Sequence, residues 1–216
     1  MPSPVEAAGS SGTETEGLRA VHRLDRRFRF HGHAIVSADD CIAGPDGLTP
    51  KALRNEADWV RFQAMLDAAA VTVLGRLGHE ANPNVARRRR LVLTGGVAAL
   101  EADGDNWLWN PAGLPLGQAL ERVLPPDIHR SGGVLAVPGG RRVFDFFLKL
   151  GYDEFHLARA ERATVGRGTR LFSGLDERHT AVDALLSAGL VPGAREVLDG
   201  DADVSLTIWR PPAAGS

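Results

Sequence analysis

From Arg29 to Ser37 the chain reads RFHGHAIVS, polar and apolar residues alternating before an apolar stretch, as a strand does on entering a core. Val71 to Leu74, Leu91 to Leu93, Trp107 to Trp109, Val134 to Val137 and Phe155 to Ala158 predict further short strands. Between them, apolar residues recur at three- and four-residue spacing. One helix is predicted from Thr49, a candidate N-cap with Pro50 in the first helical position, to about Ala69. A second runs from Leu116 to Val123 and is stopped by Pro125 and Pro126, and a third carries Val143, Phe144, Phe147 and Leu148 on one side. The glycine- and proline-dense run CIAGPDGLTP reads as a loop, and Arg195 to Leu198 with Val204 to Trp209, separated by GDAD, as a closing antiparallel hairpin. Strands that alternate with helices need crossover connections. The expected class is therefore α/β, with a mostly parallel central sheet, helices on both faces and a C-terminal antiparallel hairpin.

Met1 to about Gly17 is rich in Ser, Gly, Glu and Ala and poor in large apolar side chains, which predicts a disordered leader before a single domain over residues 18–216. At 216 residues and 44% apolar, the chain has enough length and apolar content for a substantial core. A formal net charge of −2 gives no reason to expect nucleic acid or an anionic membrane as partner. Cys41 is the single cysteine, so neither an internal disulfide nor a multi-cysteine zinc site can form, and a reducing, cytoplasmic setting is expected. No apolar run is long enough to cross a bilayer, and the N-terminus lacks the order of a secretion signal.

In an open α/β sheet, ligands lie beyond the carboxyl ends of the strands. Here those ends read Ser37-Ala38-Asp39-Asp40, Gly75-Arg76, Thr94-Gly95-Gly96 and Pro138-Gly139-Gly140. Small residues at all four leave room for a long ligand, and Arg76 and Thr94 have phosphate-binding chemistry. The last is the most informative, because an apolar strand, a glycine pair and a helix start bring accessible backbone, unpaired N–H groups and partial positive charge together. Taken alone, the same pattern also describes an ordinary tight turn.

GHAIVSADDCIAG resembles the first strand and following loop of the dihydrofolate reductase fold, Leu74-Gly75-Arg76 its G-R turn, and LVLTGG its next strand. VPGG, DEFHL from Asp153 to Leu157 and GRGTRLF from Gly166 to Phe172 are similar to the C-terminal reductase domain of riboflavin-biosynthesis deaminase-reductases and their stand-alone relatives. The resemblance covers about Phe30 to Trp209. It implies an NADPH-dependent reductase acting on a pterin, a pyrimidine or a related heterocycle, with a homodimer as the usual assembly. A nucleotide-binding protein that keeps the fold without catalysis is the alternative. Position by position, it implies Ile35, Ile42 and Ala43 near the nicotinamide and Gly75, Arg76 and Leu77 near the cofactor phosphates. Thr94 and Gly95 would approach the adenosine 2′-phosphate, and Gly139, Gly140, Arg141 and Arg142 the pyrophosphate. Ser37, Asp39, Asp58 and Phe62 are the candidates on the substrate side.

In dihydrofolate reductases a carboxylate on the first helix holds the pterin and supports its protonation, and the resemblance makes Asp58 the candidate for that place. It shares a helix face with Asn55, Phe62 and Met65, so either an apolar pocket raises its pKa or it is a solvated charge paired with Arg54 or Arg61. The chain departs from the family pattern at Leu77 and Gly78, where a hydroxyl residue usually follows the G-R turn, and at Pro138 and Asp40, where glycine is usual. H-x-E paired with C-x-x-C is missing, which excludes a zinc deaminase. His31 and His33 share a strand face as metal ligands can, but the sequence marks no third ligand and no metal is expected. Arg87 to Arg90 reads first as a solvated strand entrance, and Trp107 with Trp109 as packing or a subunit contact.

Overall fold

The computed structural model describes residues 9–22 and 24–213. Helix α1 spans Gly9–Val21. Strand β1 (Phe28–Ser37) is followed by short β2 (Cys41–Ala43), a 3₁₀ turn over Lys51–Leu53 and helix α2 (Glu56–Ala68). Then come β3 (Val71–Gly75), α3 (Arg76–Ala81), β4 (Arg90–Leu93), β5 (Leu100–Asp103) and β6 (Asn106–Trp109). Helices α4 (Leu116–Val123) and α5 (Pro126–Ser131) lead into β7 (Gly133–Gly139), α6 (Arg141–Leu150) and β8 (Glu154–Ala160). The chain closes with β9 (Thr169–Arg170), α7 (Ala181–Ser187), β10 (Val191–Asp199) and β11 (Val204–Arg210).

Nine strands form one sheet in the order β10-β11-β8-β1-β7-β3-β4-β6-β5. The six from β8 to β6 are parallel to their neighbours, while β5 at one edge and the β10-β11 hairpin at the other are antiparallel. The expected α/β fold, with its mostly parallel sheet and closing hairpin, is present. β2 pairs with β9 in a separate two-stranded ribbon.

The pleat sends successive side chains of β1 to opposite faces. Phe30 and Val36, with Leu135, Val137, Phe155 and Leu157 from the flanking strands, enter the main core. Val143, Phe144 and Phe147 of α6 and Leu116 and Leu120 of α4 belong to the same core, at the helical spacing that the sequence shows. The other face of β1 carries His31, His33, Ile35 and Ser37, in register with Glu154, His156, Ala158 and Ala160 of β8. α2 lies over this second face, against β7 and β10.

Three expectations need correction. The helix predicted from Thr49 begins instead at Glu56: Arg54 and Asn55 are extended, the Asn55 side chain caps α2 by accepting from Asp58 N at 3.1 Å, and it donates to Asp199 at 2.7 Å. The run expected as pure loop opens with β2, because Cys41 and Ala43 find partners in Arg170 and Thr169. The leader expected to be disordered over 1–17 lies partly outside the described residues, but from Gly9 it is helical. Polar α1 is held by its C-terminal end: Arg19 Nε donates to Lys149 O at 2.6 Å, and the following His22 is buried against Trp109 and Phe146, its Nδ1 accepting from Leu116 N at 3.1 Å.

Candidate active site

The four small-residue strand ends lie side by side, because β1, β7, β3 and β4 are consecutive in the sheet and all run the same way. Gly139 of β7 pairs with Leu74 of β3, and a Cβ on Gly140 would sit 3.7 Å from Gly75 Cα. Gly139 has φ 147° and Gly140 has φ 86°, values that favour glycine, while the space around both would accept a methyl group. Backbone conformation, not crowding, requires glycine here. Gly140 caps α6, and Arg141 and Arg142 stand exposed in its first turn. Arg76 is exposed and bound to Glu80 at 2.6 Å, and Leu77 is exposed beside it. Thr94 follows β4, with its hydroxyl accepting from Gly96 N at 3.1 Å, and Gly95 lies beside it with open space around it.

At the end of β1, the Ser37 hydroxyl donates to Asp39 at 2.5 Å and accepts from Cys41 N at 3.0 Å. Asp39 also accepts from Val165 N at 3.0 Å and Gly166 N at 2.7 Å. Burial alone would raise the Asp39 pKa, but these hydrogen bonds outweigh it and bring it down to about 2. Ser37 and Asp39 thus clamp the turn after β1 onto the loop before β9. Ile42 packs at the margin of the main core, Ala43 lies in the β2-β9 ribbon, and Ile35 packs with Leu53, Ala160 and Val204 on the opposite face.

Asp40 explains one departure from the family pattern. Its φ is 60°, the left-handed region that glycine usually fills, so the conformation survives although the residue differs. Its buried carboxylate meets Arg159 at 2.6 Å and accepts from Ala181 N, at the start of α7, at 2.8 Å. Arg159 in turn donates to the carbonyls of Ser37 and Ala38.

Beneath α2 the sheet is polar. His31 and His33 of β1 and His156 of β8 are all buried, with the His33 and His156 rings stacked at 4.6 Å. Burial pushes the His33 pKa down to about 2, aided by the charge of neighbouring groups, and that of His156 down to about 4. His156 Nε2 lies 2.8 Å from Glu154, and its Nδ1 is in contact with Arg61 of α2. Phe62 packs edge-on against His33 with ring centroids 6.3 Å apart. Asp58, one turn back from Arg61 and Phe62, is half-buried, and its pKa is raised by burial with Arg61 opposing. The carboxyl is desolvated, and the cation beside it is Arg61.

No protein-family model matches the chain, and no curated protein matches it. Among solved structures it is similar to a diaminohydroxyphosphoribosylaminopyrimidine deaminase/5-amino-6-(5-phosphoribosylamino)uracil reductase from Thermotoga maritima, with TM-score 0.55 and 18% identity over 86% of this chain. It is similar also to a protein assigned to riboflavin biosynthesis from Shewanella sp. PV-4, with TM-score 0.55 and 16% identity over 84% of this chain. The fold is dihydrofolate reductase-like. The chain spans 57% of the Thermotoga protein and 98% of the Shewanella protein.

Within this dihydrofolate reductase-like fold, two sequence features take definite places. Arg87 to Arg90 lie at the entrance of β4, at the opposite end from Thr94; Arg88 binds Asp67 at 2.8 Å and Arg90 donates to Asn82 O at 2.6 Å. The arginine run therefore faces away from the strand ends. Trp109 is fully buried and donates to Leu114 O at 2.9 Å, and Trp107 packs at the core margin. The feature the sequence did not mark is His156. Parallel pairing of β8 with β1 sets it opposite His33, and that register has no local signature.

Proposed function

We propose that the chain is an NADPH-dependent reductase that transfers a hydride to a pterin, pyrimidine or related heterocycle. The observation that carries this reading is the meeting of Gly139-Gly140 with Gly75 at the exit edge of the parallel sheet, in a fold shared with riboflavin-biosynthesis reductases. The residues fit a dinucleotide. A glycine pair in left-handed conformation bares its backbone, α6 starts there, and Arg141 and Arg142 offer planar guanidinium forks to phosphate oxygens. Gly75 with Arg76 and Leu77 flanks the same edge, and Thr94 with Gly95 continues it. Ile35, Ile42 and Ala43 border the nicotinamide end. The dinucleotide supplies the hydride when bound.

On the substrate side, Asp58 and Phe62 present a half-buried carboxyl and an aromatic face from α2. A carboxyl whose pKa burial raises keeps its proton to higher pH and so serves as the acid for a ring nitrogen. Ser37 and Asp39 act on this side by positioning, since they fix the turn at the end of β1.

Thermal shift and fluorescence titration with NADPH and NADH test the cofactor, and NADPH oxidation with a panel of pterins and pyrimidines tests the reaction. A ligand at a hundred times its dissociation constant stabilises by about 2.7 kcal/mol, well within reach of the method. Lack of any shift with either dinucleotide overturns the reading. Binding without turnover of any heterocycle leaves a nucleotide-binding protein of the same fold.

A further inference from the structure

We infer that His31, His33 and His156 form a binding site for one divalent transition-metal ion of the zinc class, with three imidazole ligands and a fourth position left open. One ring nitrogen from each lies within 4.8 Å of the other two. His31 and His33 are two apart on β1 and so share a face, and His156 is the direct register partner of His33 on β8. The triangle is thus built on rigid, hydrogen-bonded strands in the middle of a sheet.

All three residues are more than nine-tenths buried, and the nitrogens of His31 and His33 have no hydrogen-bond partner among the described residues. Buried polar atoms are nearly always paired, so two buried imidazoles with no partner at either nitrogen point to a group that takes up one lone pair from each. A proton is a poor occupant, because the site is desolvated and the Arg61 cation touches His156. Neutral imidazoles suit zinc, copper, nickel and cobalt. Tetrahedral coordination with zinc to nitrogen distances of about 2.0 Å sets ligand nitrogens about 3.3 Å apart, so the three rings must draw together on the ion from their present spacing of up to 4.8 Å.

Glu154 completes the setting. Its Oε2 is 2.8 Å from His156 Nε2 and 3.9 Å from His31 Nδ1, while Arg210 holds its other oxygen at 2.9 Å. A carboxylate against a ligating imidazole orients the ring and offsets part of the ionic charge. Arg61 opposes the ion as a like charge and must turn away, which its place on the half-exposed side of α2 allows.

The test is equilibrium dialysis of the full chain against Zn²⁺ and Co²⁺, with metal counted per chain. One Zn²⁺ per chain, a visible Co²⁺ spectrum of tetrahedral type and an upward shift in Tm on adding Zn²⁺ are expected. His33→Ala and His156→Ala should abolish all three, exposed His179→Ala should change none, and Arg61→Ala should tighten binding by roughly tenfold through removal of one like charge. If the His33 and His156 variants fail to fold, the wild-type Co²⁺ spectrum and Zn²⁺ shift decide alone. Sub-stoichiometric metal with no Co²⁺ spectrum, or binding that His33→Ala leaves unchanged, overturns the site. None of these readouts requires reductase activity.

Discussion

Replacing Asp40 separates two contributions that the wild-type residue combines. Its carboxylate is buried against Arg159 at 2.6 Å and also receives Ala181 N, while its backbone sits at φ 60°. Removing one partner of a buried ion pair costs about 3 to 5 kcal/mol. Arg159 is partly exposed and keeps the Ser37 and Ala38 carbonyls, so the lower end, about 3 kcal/mol, applies to Asp40→Ala. The left-handed backbone costs a non-glycine residue about 1 kcal/mol, a strain that Asp40→Gly relieves and Asp40→Ala retains. The order of stability should therefore be wild type, then Asp40→Gly about 2 kcal/mol below, then Asp40→Ala about 3 kcal/mol below. Urea unfolding followed by tryptophan fluorescence resolves steps of this size, and in a domain of this length they correspond to about 2 to 4 °C of Tm per kcal/mol. Asp40→Ala as stable as wild type would show that the ion pair contributes nothing net, and equal values for the glycine and alanine variants would remove the backbone argument.

Gly140→Ala should lower stability by about 1 kcal/mol through φ 86° alone, since its methyl group finds ordinary contact distances, and should weaken NADPH binding in titration more than it lowers Tm. Gly32→Ala should cost at least about 2 kcal/mol in the same urea assay, because its Cβ would lie 2.2 Å from the Phe155 ring and 3.0 Å from Tyr152 in the closed core. Asp58→Asn changes the pH dependence of stability. The folded carboxyl has a raised pKa, so the wild type binds its proton more tightly when folded and loses stability as pH rises from the unfolded value through the folded one. The variant should therefore gain on the wild type across that window, seen as Tm against pH. Where turnover is found, it should also lose the fall in rate that deprotonation of Asp58 causes as pH rises.

Much of the architecture was legible because it follows local rules. α4 runs from Leu116 to Val123 as the spacing of Leu116, Ala119, Leu120 and Val123 requires, and the hairpin turns where GDAD interrupts two apolar runs. What escaped depends on distant partners. Thr49-Pro50 is a sound helix start by composition, yet Asn55 wins because Asp199, 144 residues away, receives its amide. α1 is too polar to predict as packed, and it is held by His22 and Arg19 against α4 and α6. In the candidate site, the glycine turns announced themselves by residue type. The company of His31 and His33 did not, because His156 becomes their neighbour only through parallel pairing across more than a hundred residues.

That pairing also explains how β1 serves core and site at once. With a period of two, Phe30, Ala34 and Val36 go to the core, while His31, His33 and Ile35 go beneath α2. A slip of one residue would drive two histidines into the main core and put two large apolar side chains among the polar groups beneath α2, so the register needs a firm determinant. Gly32 supplies it. The Phe155 ring from β8 lies directly over the place where Gly32 would carry a side chain, and Tyr152 closes the same gap. Its neighbours on β1, His31 and His33, are too large for that place, so the ring accepts only the glycine. A residue with no side chain thus fixes which side chains of β1 face α2, and the polar site is a consequence of how the apolar core closes.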